Sequence, residues 1–534
     1  MGNASLAVMN AKIWTGSRGS AGGAQALAVA DGRLIAVGSN EAVAQYVGQG
    51  TEVLDAEGRL IVPGFNDSHV HLLLGGRQLS ELDLRSAGSE AAFAALIAER
   101  ARSLPPGRWL RGGNWDHEEW PGGRLPTKAA VDRFTPETPL FVTRLDLHLA
   151  LANSRALTLA GITKDTADPP GGKIVRDAAS GEPTGILKDA AMDLVRRVMP
   201  GYSREEEFAA LAKAEEHAAA LGVTSMQDMA GWDWADYEIL RAYRRERQPR
   251  LRLCVRTPLK DWQRQQAAVA AGEQGDDWLR LSGVKAFVDG SLGASTALFF
   301  APYDDGPGNC GLLMLPPEEL AAQAAAADRA GLQLAIHAIG DRANAVLLDI
   351  FAQVAAENGP RDRRPRVEHA QHLVGSDIGR MAALGVIASV QPYHAVDDGR
   401  WAEKRIGAER ARLTYAFRSL DNAGVSLAFG TDWPVAPLNP LLSIQAAVTR
   451  QTGRPEHIDG WQPAEKVDVA TALTAYTAAA AYGEFAEDRK GTLSPGMLAD
   501  FVILSEDIFS LPPAAIATAN VVSTVCGGRV VYRK

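Results

Sequence analysis

Residues 61–71 read IVPGFNDSHVH. The segment 61–67 reads as a short apolar strand, and His69 and His71 follow it directly. In an extended chain residues i and i+2 point to the same side. Two imidazoles at the C-terminal end of a strand are therefore placed to chelate one metal ion. An isolated His-x-His also suits an ordinary loop, so the rest of the chain has to decide between the two.

Seven further apolar segments read as strands: VTSMQDM (223–229), LRLCVRT (251–257), GVKAFVDG (283–290), QLAIHAIG (333–340), PRVEHAQ (365–371), GVIASVQP (385–392) and SLAFGTD (426–432). Ala- and Leu-rich helical stretches such as PEELAAQAAAADRAG and RANAVLLDIFAQVAAENG alternate with them. Strand and helix in repeated alternation predict a parallel α/β architecture. Eight strands are the number that a (β/α)8 TIM barrel needs. The barrel is expected over 61–488, with an insertion at about 78–217. That insertion holds its own strands (WLRGGNW, PLFVTRLDLHLAL) and is too long for a structureless loop. The ends, 1–60 and 489–534, are both rich in short strands and are expected to form one small β-sandwich domain, since chain termini often lie close together.

The chain of 534 residues has 46% hydrophobic and 22% charged residues, an ordinary globular mix. Its net charge of −9, without a basic patch, argues against nucleic acid or an anionic membrane surface as partner. Cys254, Cys310 and Cys526 lie far apart and form no CxxC pair, which suits a reducing compartment. The N-terminus lacks the pattern of a signal peptide, and no run of 18 apolar residues exists, so a cytoplasmic location is expected. A homodimer is the expectation by base rate.

The chemistry gathers at the predicted strand ends. Of ten histidines, His69 and His71 follow strand one, His337 lies on strand five and His369 on strand six. Asp432 ends strand eight. Barrel enzymes build their active sites at the C-terminal strand ends, so metal binding becomes the favoured reading of the histidine pair. Lys285 sits within GVKAFVDG, where a buried lysine is costly unless paired or modified. One reading pairs it with Asp289. The other has it carboxylated by CO2, so that its carbamate bridges two metal ions.

The set PGFNDSHVH, GVKAFVDGSLG, AIHAIGD, VEHAQ, GTDWP and GTLSPGMLADFVIL resembles the amidohydrolase superfamily. More narrowly it resembles the YtcJ-like branch, which includes N-substituted formamide deformylase. The resemblance spans nearly the whole chain. It implies a metal-dependent hydrolase on a (β/α)8 barrel with a β-sandwich built from both termini. The ligands it implies are His69, His71, His337 and His369, with Lys285 as the bridge. Asp432 would be the catalytic base and a further ligand. Asn66 is a departure, because isoleucine is more usual before the aspartate of the first motif.

Imidazole ligands suit zinc, so one or two Zn2+ ions are expected, with another divalent metal as the alternative. A metal-bound water near pKa 7 would attack a carbonyl, and Asp432 would take its proton and pass it to the leaving nitrogen. Asp67 would orient a ligand imidazole. His394, after strand seven, would donate to the developing oxyanion. Trp115, His148, Asn153 and Trp433 are the candidates for substrate contact, with Trp120 and Asp146 beside them in a lid. Asp116-His117-Glu118-Glu119 reads as a solvated loop. The expected reaction is hydrolysis of a non-peptide C–N bond in a small molecule: an amide, N-substituted formamide or carbamate. The alternatives are a deaminase on the same scaffold, which has no need of Lys285, and a non-catalytic binding protein that retains the fold.

Overall fold

The structure is a computed structural model and describes residues 3–16, 23–105, 107–230 and 233–534. Eight parallel strands form one sheet: β1 (Phe65–Val70), β2 (Val223–Asp228), β3 (Arg252–Pro258), β4 (Leu279–Phe287), β5 (Gln333–Ala338), β6 (Arg366–His369), β7 (Ile387–Val390) and β8 (Ser426–Phe429). Each pairs in parallel with its sequence neighbour, from β1–β2 through to β7–β8. β1, β2, β3, β5, β6 and β7 are buried along their whole length. Strands covered on both faces carry apolar runs rather than an alternating pattern, which is why all eight could be read from the sequence.

The sheet comes round on itself between β8 and β1. Val70 bridges Trp433, Asp432 N–H donates to the His69 carbonyl at 2.7 Å, and His71 N–H donates to the Trp433 carbonyl at 2.8 Å. The seam of the barrel thus sets His69, His71 and Asp432 side by side.

The first strand differs from its predicted span of 61–67. The apolar run divides at Gly64, with Leu60–Pro63 in another sheet and β1 starting at Phe65. A Cβ on Gly64 would lie 2.1 Å from Thr224 Oγ1, so only glycine fits where the chain passes from one sheet to the other. His69 therefore stands inside β1 rather than after it, and His71 caps the helix α1 (Leu72–Gln78).

Leu60–Pro63 belongs to a five-stranded sheet with Lys12–Ile13, Phe501–Leu504, Val521–Cys526 and Arg529–Arg533. Both ends of the chain contribute to it, with Pro63 opposite Phe501. A four-stranded sheet of residues 6–9, 26–30, 33–38 and 52–55 adds the other layer. Leu6, Val8, Leu27, Val29, Ile61, Phe501 and Val525 fill one hydrophobic cluster with residues from both sheets. Arg252 of β3 ties this unit to the barrel through two hydrogen bonds to Asp500, at 2.6 and 2.9 Å.

Between α1 and the helix Arg204–Ala220 the chain builds a six-stranded sheet with its own cores. A limit near 217 would cut that helix, which instead packs on α1. A Cβ on Gly76 would lie 2.4 Å from the Ala210 carbonyl oxygen. The segment 116–119 is not the solvated loop that its charge suggests. The Glu118 side chain is 2% exposed and pairs with Arg405, while Asp116 pairs with the buried Arg144 at 2.6 Å. The three cysteines are unpaired. Among the described residues no helix is long and apolar enough to cross a membrane.

Candidate metal centre

His69, at the end of β1, and His71, two residues on, turn the same way. Their Nε2 atoms lie 3.5 and 3.3 Å from Asp432 Oδ1. His369, at the end of β6, completes a buried group in which the ligand atoms of His69, His369 and Asp432 all lie within 4.8 Å of one another. Backbone strain accompanies this convergence. His369, Ala370 and Asp432 adopt φ of 79°, 43° and 58°, in the left-handed region that non-glycine residues avoid. Such residues cost on the order of 1–3 kcal/mol each and persist where the surroundings over-determine them.

Hydrogen bonds settle which ring nitrogen His69, His369 and His337 each offer. His69 Nδ1 meets Glu368 Oε2 at 2.6 Å, and His369 Nδ1 meets Gln391 Oε1 at 2.8 Å. An acceptor at Nδ1 places the proton there and leaves the Nε2 lone pair facing the centre. His337 is turned the other way. Its Nε2 donates to the Gly290 carbonyl at 3.0 Å, which leaves Nδ1 as its free acceptor, and its ring lies 4.5 Å from that of His369. Burial, reinforced by neighbouring cations, depresses His69 to about 3 and pulls His369 well below the ordinary imidazole value. Both are therefore neutral, the form that binds a metal. Burial alone would raise Asp432, but the surrounding imidazoles outweigh it and hold the carboxyl well below its usual range.

Glu368 is the residue that carries this arrangement and that the sequence motifs did not single out as a support. Arg366 Nε donates to Glu368 Oε1 at 2.7 Å, and both side chains are fully buried. Arg366 stands two residues before Glu368 on β6, so the strand's alternation puts them on one face. Burial would raise Glu368, and Arg366 and His69 more than offset it. Asp67 has a different task from the one expected. It accepts from Thr431 N–H at 2.9 Å, from Thr431 Oγ1 at 2.6 Å and from His69 N–H at 3.2 Å, so it binds the two seam segments together and does not touch a ligand ring. Glu368→Gln should weaken metal binding by about 10–100-fold while the barrel stays folded. Competition with a chromogenic chelator reads this, and unchanged affinity would remove Glu368 from the support of His69.

Lys285, on β4, does not pair with Asp289. Its Nζ lies 3.4 Å from His69 Nε2 and 4.8 Å from the Phe287 ring centre. Asp289 instead accepts from the backbone N–H groups of Leu298, Ile339 and Gly340. Burial brings the Lys285 ammonium down to about 8.

A recess enclosing about 490 Å³, open mouth included, leads to the centre. His148, His337, His369, His394 and Asp432 line it, with Asp146, Asp397 and Asp398. His394 Nε2 stands 4.0 Å from Asp432 Oδ2, and His148 Nδ1 bonds Asp189 at 2.6 Å. Three expected substrate contacts do not reach the recess. Trp115 is wholly buried against Phe93 and Trp120, and its Nε1 donates to the Val142 carbonyl. Asn153 caps the helix Ser154–Leu159 and donates to Thr135 and Thr138. Trp433 wedges against α1, where a Cβ on Gly75 would lie 2.3 Å from its ring. Aromatic and amide side chains serve a core or a cap as readily as a ligand, and residue type alone does not separate these uses.

A sequence profile of the amidohydrolase family matches residues 52–532. The chain is 42% identical to protein LONG AFTER FAR-RED 3 of Arabidopsis thaliana, over 99% of this chain and 92% of that one. It is 33% identical to the putative amidohydrolase YtcJ of Bacillus subtilis, over 96% of each chain. It is 27% identical to N-substituted formamide deformylase of Arthrobacter pascens, over 99% of this chain and 98% of that one. Among solved structures, an uncharacterized metal-dependent hydrolase from Pyrococcus horikoshii superposes with a TM-score of 0.77 at 30% identity, covering 95% of this chain and 99% of that one.

Proposed function

Because this chain belongs to the amidohydrolase family, we propose that it hydrolyses a non-peptide C–N bond of a small amide, N-substituted formamide or carbamate. The observation that carries the reading is the buried convergence of His69, His369 and Asp432, with the imidazoles neutral and their Nε2 lone pairs turned inward. The likeness to N-substituted formamide deformylase supports the bond type.

His69, His71, His369, Asp432 and, through Nδ1, His337 would hold the metal, with Lys285 beside them. Nitrogen and oxygen donors of this kind fit zinc, and we assign Zn2+ ahead of other divalent ions. Bound there, the metal would polarise the scissile carbonyl and bring the pKa of water to about 7. The chain's own groups do the rest. Asp432 accepts the proton of the attacking water. His394, 4.0 Å from Asp432, faces the oxygen on which negative charge develops. The water oxygen joins the acyl carbon, the C–N bond breaks, and the amine leaves with the proton that Asp432 carried. Burial of the group keeps bulk water from competing for these contacts.

Purified protein should therefore hydrolyse members of a panel of N-acyl amines, N-substituted formamides and carbamates. The activity should vanish on chelation and return with Zn2+. No turnover of any member by metal-loaded protein would sink the reading. Release of ammonia from an aminated heterocycle would replace it with a deaminase.

Lys285 is proposed to carry a carbamate, formed when its neutral amine takes up CO2 and loses one proton. Desolvation favours that product by disfavouring the ammonium, while Glu368 and Asp432 pull the other way without making a hydrogen bond to it. Lys285→Ala should then lose one of two metal equivalents, and short carboxylic acids should partly restore activity. Elemental analysis with bicarbonate and acetate rescue tests this. A variant with unchanged metal content would leave Lys285 as an unmodified amine.

A further inference from the structure

The short helix α2 (His394–Asp398) starts at His394 and ends on two adjacent carboxylates. Positions i, i+3 and i+4 share a helix face, so His394, Asp397 and Asp398 turn the same way, and all three line the recess. His394 stands at the reacting end, beside Asp432. The carboxylates stand one turn farther along.

Neutral donors hold Asp398, and the ion pairs of Asp397 with Arg85 and Arg400 are too long to be hydrogen bonds. Asp398 Oδ2 accepts from Gln371 Nε2 and from the Tyr415 hydroxyl, each at 2.6 Å, and both donors are neutral. Around Asp397, Arg85 and Arg400 approach no closer than 3.7 Å. These arginines spend hydrogen bonds elsewhere, on the Val435 carbonyl at 2.8 Å and the Thr452 carbonyl at 3.0 Å. Asp397 Oδ2 is a buried oxygen that accepts no hydrogen bond among the described residues. The one arginine lining the recess, Arg144, is already shared between Asp116 and Asp146, at 2.6 and 2.9 Å. An orphaned buried acceptor beside a carboxylate held by neutral donors calls for a donor from outside the protein.

We propose that the recess selects substrates bearing a cationic nitrogen roughly 5–6 Å, one helical turn, from the scissile carbonyl, with Asp398 and Asp397 as the groups that hold it. This rests on the C–N hydrolase reading and narrows it to amides of diamines and related cationic amines. Burial pushes the Asp398 carboxyl up to about 7, and an incoming cation restores its ionised form.

Three near-isosteric probes test the proposal: N-acetylethylenediamine (cationic), N-propylacetamide (neutral) and N-acetyl-β-alanine (anionic). Binding to zinc-loaded Asp432→Asn protein is measured by calorimetry, so that the result does not depend on turnover. Hydrolysis of the same probes by wild-type protein is followed separately. The cationic probe should bind at least tenfold more tightly than the neutral one, and the anionic probe least. Adding Asp398→Asn or Asp397→Asn should cost the cationic probe about tenfold and leave the neutral probe within twofold. Equal or inverted preference, no measurable binding of the cationic probe, or equal loss for all three probes in the Asn variants would each overturn the proposal. Hydrolysis of the neutral probe upholds the C–N hydrolase reading whatever becomes of the preference. Cation-selective binding with no hydrolysis of any probe upholds the recess and counts against the reaction.

Discussion

His69→Ala is expected to leave a folded protein that holds little metal and gives no detectable turnover. His69 is the imidazole with the most connections in the group. Its Nε2 lies 3.5 Å from Asp432 and 3.4 Å from Lys285, and its Nδ1 bonds Glu368. Loss of an outer support such as Glu368 costs about 10–100-fold in metal affinity, and loss of the ligand itself should cost more than that. The fold should survive because Glu368 keeps its bond to Arg366, and Arg366 keeps the Ser68 carbonyl and Ser389 hydroxyl at 2.8 Å each. The Glu368 carboxylate is thus not left alone, and an unpaired buried charge is the change that most endangers a core. His457→Ala is the control, since that ring bonds Thr452 in a segment outside the recess. Elemental analysis after gel filtration, with thermal unfolding alongside, reads both variants. Wild-type metal content in His69→Ala, or equal loss in His457→Ala, would dismantle the site as drawn.

The barrel could be read from the sequence because its strands are covered on both faces and therefore appear as apolar runs with polar residues at their ends. The same property hid the break at Gly64. A run buried in one sheet and then in the next carries no change of pattern, and the close approach to Thr224 that requires glycine exists only in three dimensions. The candidate site was legible in the histidines, Lys285 and Asp432, which the fold brings close together. Histidine, lysine and aspartate are uncommon at buried strand ends, and their spacing matches the two-residue alternation that brings His69 and His71 together. The supports were not legible. Glu368 lies 299 residues from His69 along the chain, and nothing local distinguishes it from an ordinary strand carboxylate until its partner is seen. The charged segment 116–119 misled for the complementary reason. Charge predicts solvation only when no partner is at hand, and Arg405 and Arg144 come from distant parts of the chain.

Asp432→Asn should lower kcat by at least roughly a hundredfold, the lower end for losing a general base, without unfolding the protein. The carboxylate stands at the barrel seam, 3.3 Å from His71 and 3.5 Å from His69 on one oxygen and 4.0 Å from His394 on the other. One oxygen thus faces the His69 and His71 imidazoles, and the other faces His394, on the side from which water and a leaving amine would be reached. The amide that replaces it has nearly the same shape but cannot take a proton at neutral pH, so binding geometry and proton transfer come apart in this variant. The backbone at 432 is held independently of the side chain, by its N–H bond to the His69 carbonyl at 2.7 Å. Asparagine tolerates the left-handed conformation, φ 58°, about as well as aspartate. Metal content should fall modestly if the carboxylate is one ligand among several. Loss of the proton acceptor should appear in kcat with KM little changed. A folded, metal-loaded Asn variant with near-normal kcat would move the proton transfer to another group. His394 is then the residue to substitute next, because its buried Nε2 stands 4.0 Å from Asp432 Oδ2 and has no hydrogen-bond partner among the described residues.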